Sequence, residues 1–166
     1  MKHSSISPVF GVSQFEMLHK SGHVMDLDNL LGTTSPTPDQ VKQLATAYEA
    51  EAKYLHGDLS IFATNHFSAS VTAFEWPFSG QLFVKSGNDG ADKVLAEHLD
   101  DLIRAQGITR IVIGSGDHYF LDSVRYAQKL GMKVHVVAKY GTLSPALQLA
   151  ANSYSFLPNL KKRVAA

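Results

Sequence analysis

Four acidic or amide-bearing segments recur along this chain, each placed just after a short apolar run. His23-Val-Met-Asp-Leu27 runs into Asp26-Leu-Asp-Asn29, and Leu59-Ser-Ile-Phe-Ala63 into Thr64-Asn-His66. Gln81-Leu-Phe-Val84 leads to Asn88, Asp89 and Asp92, and Arg110-Ile-Val-Ile113 leads through Gly114-Ser-Gly to Asp117. If the apolar runs are strands of one parallel sheet, the segments that follow them share a rim, and at least three carboxylates converge there. Clustered carboxylates repel one another unless a cation sits between them. An all-oxygen donor set suits Mg²⁺ or Mn²⁺, which take one or two carboxylates together with water and substrate phosphate. Such an ion polarises a phosphoryl oxygen and acidifies bound water, so the chemistry indicated is phosphodiester hydrolysis.

Each residue also has a plainer reading. Asp26 at a strand end serves equally well to accept backbone N–H groups of the next turn. Asp28 reads more readily as a solvent-facing or Asx-turn residue. Asn29 either shapes a turn or contacts phosphate and orients Asp26. Asp89 and Asp92 open a helix, where the dipole favours acids, although Asp92 lies about a turn inside it. Asp117 is a natural helix cap. Ser115 lacks a His/Asp relay, which argues against a serine nucleophile. The eight histidines form no H-E-x-x-H motif, so zinc has little support. His66 and His118 fall on rim loops, where they would contact phosphate or move protons, or simply lie on the surface. The turn Gly114-Ser-Gly-Asp117 fits neither the dinucleotide fingerprint nor the Walker pattern. Its small residues would let the backbone turn tightly and present Asp117 to the rim.

The elements needed to hold this rim are legible. Strands are expected near 23–27, 59–63, 81–84, 110–113, 133–137 and, briefly, 154–157. Between them, Thr37-Pro-Asp-Gln40 is a capping box with proline at the first helical position, opening a helix that runs to about Leu55. Further helices are expected over about 68–74, 91–105, 120–130 and 143–151, with 26–36 read as a strand end and loop. Strands alternating with helices imply βαβ units: an α/β, three-layer Rossmann-like architecture with a mostly parallel central sheet of about five to six strands. The expected organisation is a peripheral arm over 1–20, one domain over 21–158 and a basic tail over 159–166.

At 166 residues and 45% hydrophobic, the chain suffices for one well-filled core. Without cysteine it can form neither disulfides nor thiolate metal sites. It has no apolar run of membrane-spanning length and no signal-like start, so a cytoplasmic protein is expected. Net charge is zero, but residues 1–103 carry 6 Lys/Arg and 13 Asp/Glu, and residues 104–166 carry 9 and 2. That split of −7 and +7 is what two attracting halves would show, or an acidic centre beside a basic surface that holds a polyanion.

Three segments together resemble the NYN family, a branch of the PIN-like metal-dependent nucleases. "VMDLDNL" (24–30) is similar to its first-strand motif, "SGNDGADKVLAEHL" (86–99) to its central helix motif, and "RIVIGSGDHYFLDSVRYAQKLGMKVHVVA" (110–138) to its fourth strand, S-G-D turn, helix and fifth strand. "GTLSPALQLAANSYSFL" (141–157) is similar to the closing helix and strand. The resemblance spans about residues 23–157 and implies a PIN/NYN fold, a Mg²⁺ or Mn²⁺ cofactor and endonucleolytic cleavage, usually of RNA. Carried over by position, Asp26, Asp92 and Asp117 are the implied metal-binding catalytic residues, with Asn29 orienting them or touching phosphate. Ser115, His118 and Lys139, with Arg125, Lys129 and Lys161-Lys-Arg163, are expected on the nucleic acid. A homodimer fits the same picture. Tyr119 departs from the pattern, since many members carry an aspartate there, with Asp122 or Asp89 as substitutes. Two readings therefore stay open beside a ribonuclease: a binding or regulatory module with a weakened centre, and a phosphoesterase acting on small nucleotides.

Overall fold

Six strands form a single sheet in the order β3-β2-β1-β4-β5-β6, and every neighbouring pair is parallel. The strands are β1 (Lys20–Asp26), β2 (Leu59–Thr64), β3 (Gln81–Val84), β4 (Ile108–Gly114), β5 (Lys133–Lys139) and β6 (Ser153–Leu157). Helices α1 (Leu27–Leu31), α2 (Pro38–Ala52), α3 (Ala69–Glu75), α4 (Gly90–Arg104), α5 (Leu121–Lys129) and α6 (Pro145–Ala150) connect them. The structure, a computed structural model, describes residues 20–87 and 90–160. The expected arm lies outside these except for Lys20, which opens β1; Asn88, Asp89 and Lys161-Lys-Arg163 also lie outside them.

Alternation along the strands sorts the core into two layers. Val24, Ile61, Ala63, Ile111, Ile113, Val134, Val136 and Ala138 face α4, α5 and α6, meeting Leu95, Leu99, Ile103, Val124 and Leu147. Met25, Phe62, Val112 and Val137 face the other way, toward Leu27, Leu30, Val41, Leu44, Tyr48 and Trp76 on α1, α2 and after α3. Sheet and two helical layers together form the doubly wound α/β fold expected from the sequence. Chain order reverses beside β1, which pairs with both β2 and β4, so the crevice at the carboxyl ends of β1 and β4 is the switch point where such sheets take ligands.

The capping box opens α2 as expected: Thr37 Oγ1 accepts the Gln40 N–H (3.3 Å) and Gln40 Oε1 accepts the Thr37 N–H (2.9 Å). The helix stops at Ala52, short of the expected Leu55, because Lys53 adopts a left-handed conformation (φ 53°). Asp58 then ties this end of α2 to the base of β1. It accepts N–H groups from Leu55 and Ser21, both at 2.9 Å, and faces His23 Nε2 at 3.1 Å. Burial depresses the His23 pKa, partly offset by Asp58, and the other ring nitrogen meets the Tyr48 hydroxyl at 3.0 Å. This polar knot fixes the foot of β1, at the end of the sheet away from the switch point. Among the described residues no helix is long and apolar enough to cross a membrane.

Candidate active site

The segment after β1 is a helix where the sequence suggested a loop. Asp26 caps α1 by accepting the Asn29 N–H at 3.0 Å, and Gly32 closes the helix with φ 68°. Five residues are too few to show a helical period, but they turn the chain so that Asp26 and Asp28 both face one pocket. That pocket, about 320 Å³, is lined by Asp26, Asp28 and Thr34, by Asn65 and Phe67 after β2, by Lys85 and Ser86 after β3, and by Asp92 in the first turn of α4.

Asp26 and Asp92 are both buried, and they lie within hydrogen-bonding reach of each other. Burial raises the Asp26 pKa most, the Asn29 N–H pulls it down, and the charges of Asp92 and Asp28 push it up again, to about 7. A buried carboxyl pair relieves its repulsion by holding either a proton or a cation, and the donor set of two carboxylates beside an open pocket suits Mg²⁺ or Mn²⁺. Asp28 is committed elsewhere. It accepts the Thr64 hydroxyl (2.9 Å), the Asn65 N–H (2.8 Å) and the Ser68 hydroxyl (3.3 Å), so its charge is spent on fixing the loop after β2. The sequence reading takes Asp28 as a solvent-facing or Asx-turn residue; in the fold its partners lie on the loop after β2 instead.

Asp117 sits across the switch point on a different part of the rim. Its carboxylate accepts the Tyr119 N–H at 2.8 Å, capping a 3-10 turn over His118–Phe120, and meets His118 Nδ1 at 3.2 Å. Among the described residues no group of three or more His, Asp or Glu is arranged to hold a metal ion. The structure thus brings Asp26 and Asp92 together, while Asp117 is engaged as a cap outside their pocket. Asn29 links the two parts: its own N–H bonds to Asp26, and its Oδ1 accepts the Gly116 N–H at 3.2 Å. Asp122 points into solvent and pairs with Arg125 one turn on, at 3.7 Å.

The Gly114-Ser-Gly turn is built for close packing. Neither Gly114 nor Gly116 takes a left-handed conformation. A Cβ on Gly116 would fall 2.6 Å from the Thr142 carbonyl carbon and 2.8 Å from its Oγ1, because the segment entering α6 crosses the turn and Ser144 N–H bonds to Gly116 O at 2.9 Å. Ser115 is fully buried, with its hydroxyl accepting the Asp117 N–H at 3.2 Å, so it holds the turn from inside. His118 and Tyr119 are exposed. Lys139 lines a second cavity of about 670 Å³ with Leu31, Thr33, Ser35, Gln40 and Asn159, separated from the acidic pocket by the 32–36 loop.

Residues the sequence reading had left without a role in the pocket are Thr34, Phe67, Lys85 and Ser86. Their signal was weak: Thr34 lies in the loop between α1 and α2, and Phe67, Lys85 and Ser86 follow β2 and β3 without a residue type that marks them for chemistry.

The class defined by this sheet and rim is an open, doubly wound α/β domain with a buried acidic pair beside its switch point. No family model matches the chain, and no curated protein does. Among solved structures it is similar to VPA0982, a protein of unknown function from Vibrio parahaemolyticus RIMD 2210633, with a TM-score of 0.57 and 11% identity over 84% of this chain and 94% of that one. That likeness shows the fold.

Proposed function

We propose that this chain is a divalent-metal-dependent nuclease of the NYN kind, acting on RNA, with its centre at Asp26 and Asp92. The observation that carries the reading is the buried carboxyl pair at the switch point, with Asp26 held near pKa 7, opening into a pocket that also contains Lys85. Buried like charges are costly, and a site that keeps two of them side by side has a use for a cation. When bound, Mg²⁺ or Mn²⁺ would supply phosphoryl polarisation and an acidified water. Asp26 and Asp92 would hold it, Asn29 would keep Asp26 aimed through its N–H, and Lys85 would meet a phosphate oxygen. Asp28 would act indirectly, by holding the loop that forms the far wall.

A second reading, a nucleic-acid-binding module with a weakened centre, is favoured by Asp117. Its carboxylate is engaged by Tyr119 N–H and His118, and Tyr119 supplies no acid of its own. The deciding experiment is cleavage of RNA and DNA in Mg²⁺ and in Mn²⁺ beside Asp26→Asn. A nuclease cuts in metal, is silent in EDTA, and loses at least ~100-fold in rate with the substitution. RNA binding without any cleavage by well-folded protein selects the second reading. Hydrolysis of mononucleotides but not of polymers selects a small-molecule phosphoesterase.

A further inference from the structure

The loop between β2 and α3 is pinned at successive residues. Asn65 N–H donates to Asp28, Asn65 Nδ2 donates to the Thr34 carbonyl (3.2 Å) and to Ser68 Oγ (2.6 Å), and Asn65 Oδ1 accepts the N–H groups of Phe67 (2.7 Å) and Ser68 (3.2 Å). His66 is fixed twice by Ser86, whose Oγ accepts its N–H at 3.1 Å and also bonds its ring Nδ1. This rigid loop nonetheless holds the Phe67 side chain 71% exposed, with its ring centroid 3.9 Å from that of His66. A single exposed phenylalanine is ordinary on a protein surface, but this one is held by a locked backbone in the lining of the acidic pocket, where its ring is open to whatever the pocket takes.

What covers it is constrained by what lies next to it. Phe67 lines the same pocket as the Asp26–Asp92 pair and Lys85, so a molecule engaging the acidic pair passes beside the ring. A ligand there needs a flat apolar face close to a phosphate, which is the chemistry of a nucleotide. We infer that Phe67, backed by His66, is a stacking face for one unpaired base next to the phosphate held in the pocket. The inference rests on the nuclease reading and adds to it a base subsite and a preference. A base within a duplex is stacked on both sides and offers only its edge, so this face selects nucleotides that are unstacked.

The test uses an unstructured RNA decamer in which 2-aminopurine replaces one base at a time. Ca²⁺ replaces Mg²⁺, and strand integrity is checked on a gel. The wild-type protein is expected to change the fluorescence at one or two adjacent positions. Phe67→Ala should abolish that change and weaken binding roughly 5- to 150-fold, the range for one lost base–aromatic stack. Phe67→Trp should preserve both. A duplex of the same sequence should bind wild type and Phe67→Ala alike. Because Phe67 is exposed, unfolding does not confuse the result, and equal melting temperatures confirm this. Equal affinity and equal fluorescence change in wild type and Phe67→Ala would overturn the stacking face while leaving the nuclease reading standing. Wild type that binds no RNA under any of these conditions would overturn both.

Discussion

Replacing Asp26 by Asn should make the metal-free protein more stable while removing the proposed nuclease activity. The carboxyl's pKa rises from 3.8 to about 7 on folding, through burial first and the Asp92 and Asp28 charges after it. Between those values the folded protein holds a proton that the unfolded chain has released, so stability is fully present below pH 3.8 and is lost as pH climbs toward 7. About three pKa units correspond to an upper limit of ~4 kcal/mol at pH 8, with ~2–3 kcal/mol of it developing between pH 5 and pH 8. An amide at position 26 carries no charge at any of these pH values, and its carbonyl oxygen can still accept the Asn29 N–H that caps α1. The assay is urea denaturation in EDTA at several pH values, following the fluorescence of the buried Trp76. Asp26→Asn should exceed wild type by about 1–2 kcal/mol at pH 5, and the gap should widen to the limit of ~4 kcal/mol at pH 8. Millimolar Mn²⁺ should stabilise wild type and leave the variant unmoved. A variant less stable than wild type at pH 8, or a gap that does not change with pH, would refute the reasoning.

Three further outcomes follow from the same contacts. Gly116→Ala should lower stability by ~1–3 kcal/mol in thermal or urea melts, because its methyl group collides with the Thr142 backbone; a neutral result would show that the α6 segment yields easily. Asn29→Ala strips the Gly116 N–H of its acceptor, so ~1–3 kcal/mol should be lost, with Asn29→Asp losing less. Burial lowers the His23 pKa, so the unfolded chain takes up a proton before the folded one does, and stability falls as pH drops below 6.5. His23→Gln should flatten that acid limb in the same urea series, and an unchanged limb would assign it to other groups. His23 is common to wild type and Asp26→Asn, so it cancels from their comparison.

The order and type of the strands and the five longer helices were legible, most directly in α2 and α4, which bury periodic apolar faces, while α3 and α6 bury one residue each and were marked by the breaks around them; the two-layer core follows from strand alternation. Strand ends were less legible. β1 begins at Lys20 and β4 at Ile108, before the apolar runs that announce them, because the backbone ladder between β1 and β4 continues past the hydrophobic side chains. α1 was missed because a five-residue helix held by Asp26 and Gly32 has too few turns to show a period. The acidic residues could be found but not ranked. Nothing in the spacing of Asp26, Asp28, Asp92 and Asp117 distinguishes a side chain that meets another carboxyl from one that accepts three hydrogen bonds or caps a turn. Those assignments depend on where Thr64, Asn65, Ser68 and the Tyr119 N–H come to lie, which is decided by long-range packing. The glycines of the Gly114-Ser-Gly turn were likewise recognised for another reason, tight turning, whereas in the fold Gly116 makes room for the Thr142 backbone and Gly114 for the side chains of Met25, Tyr48 and Leu30.

The measurement that bears most directly on the acidic pair is a calorimetric Mn²⁺ titration at pH 6.5 in two buffers of different ionisation enthalpy, on wild type and on Asp92→Asn. If the pair is a cation site, Mn²⁺ displaces the proton shared by Asp26 and Asp92. Wild type should then bind the ion with release of close to one proton, and Asp92→Asn should show neither the binding nor the release. Mn²⁺ binding that releases no proton, or that survives Asp92→Asn unchanged, would contradict the assignment of this pocket as the catalytic centre.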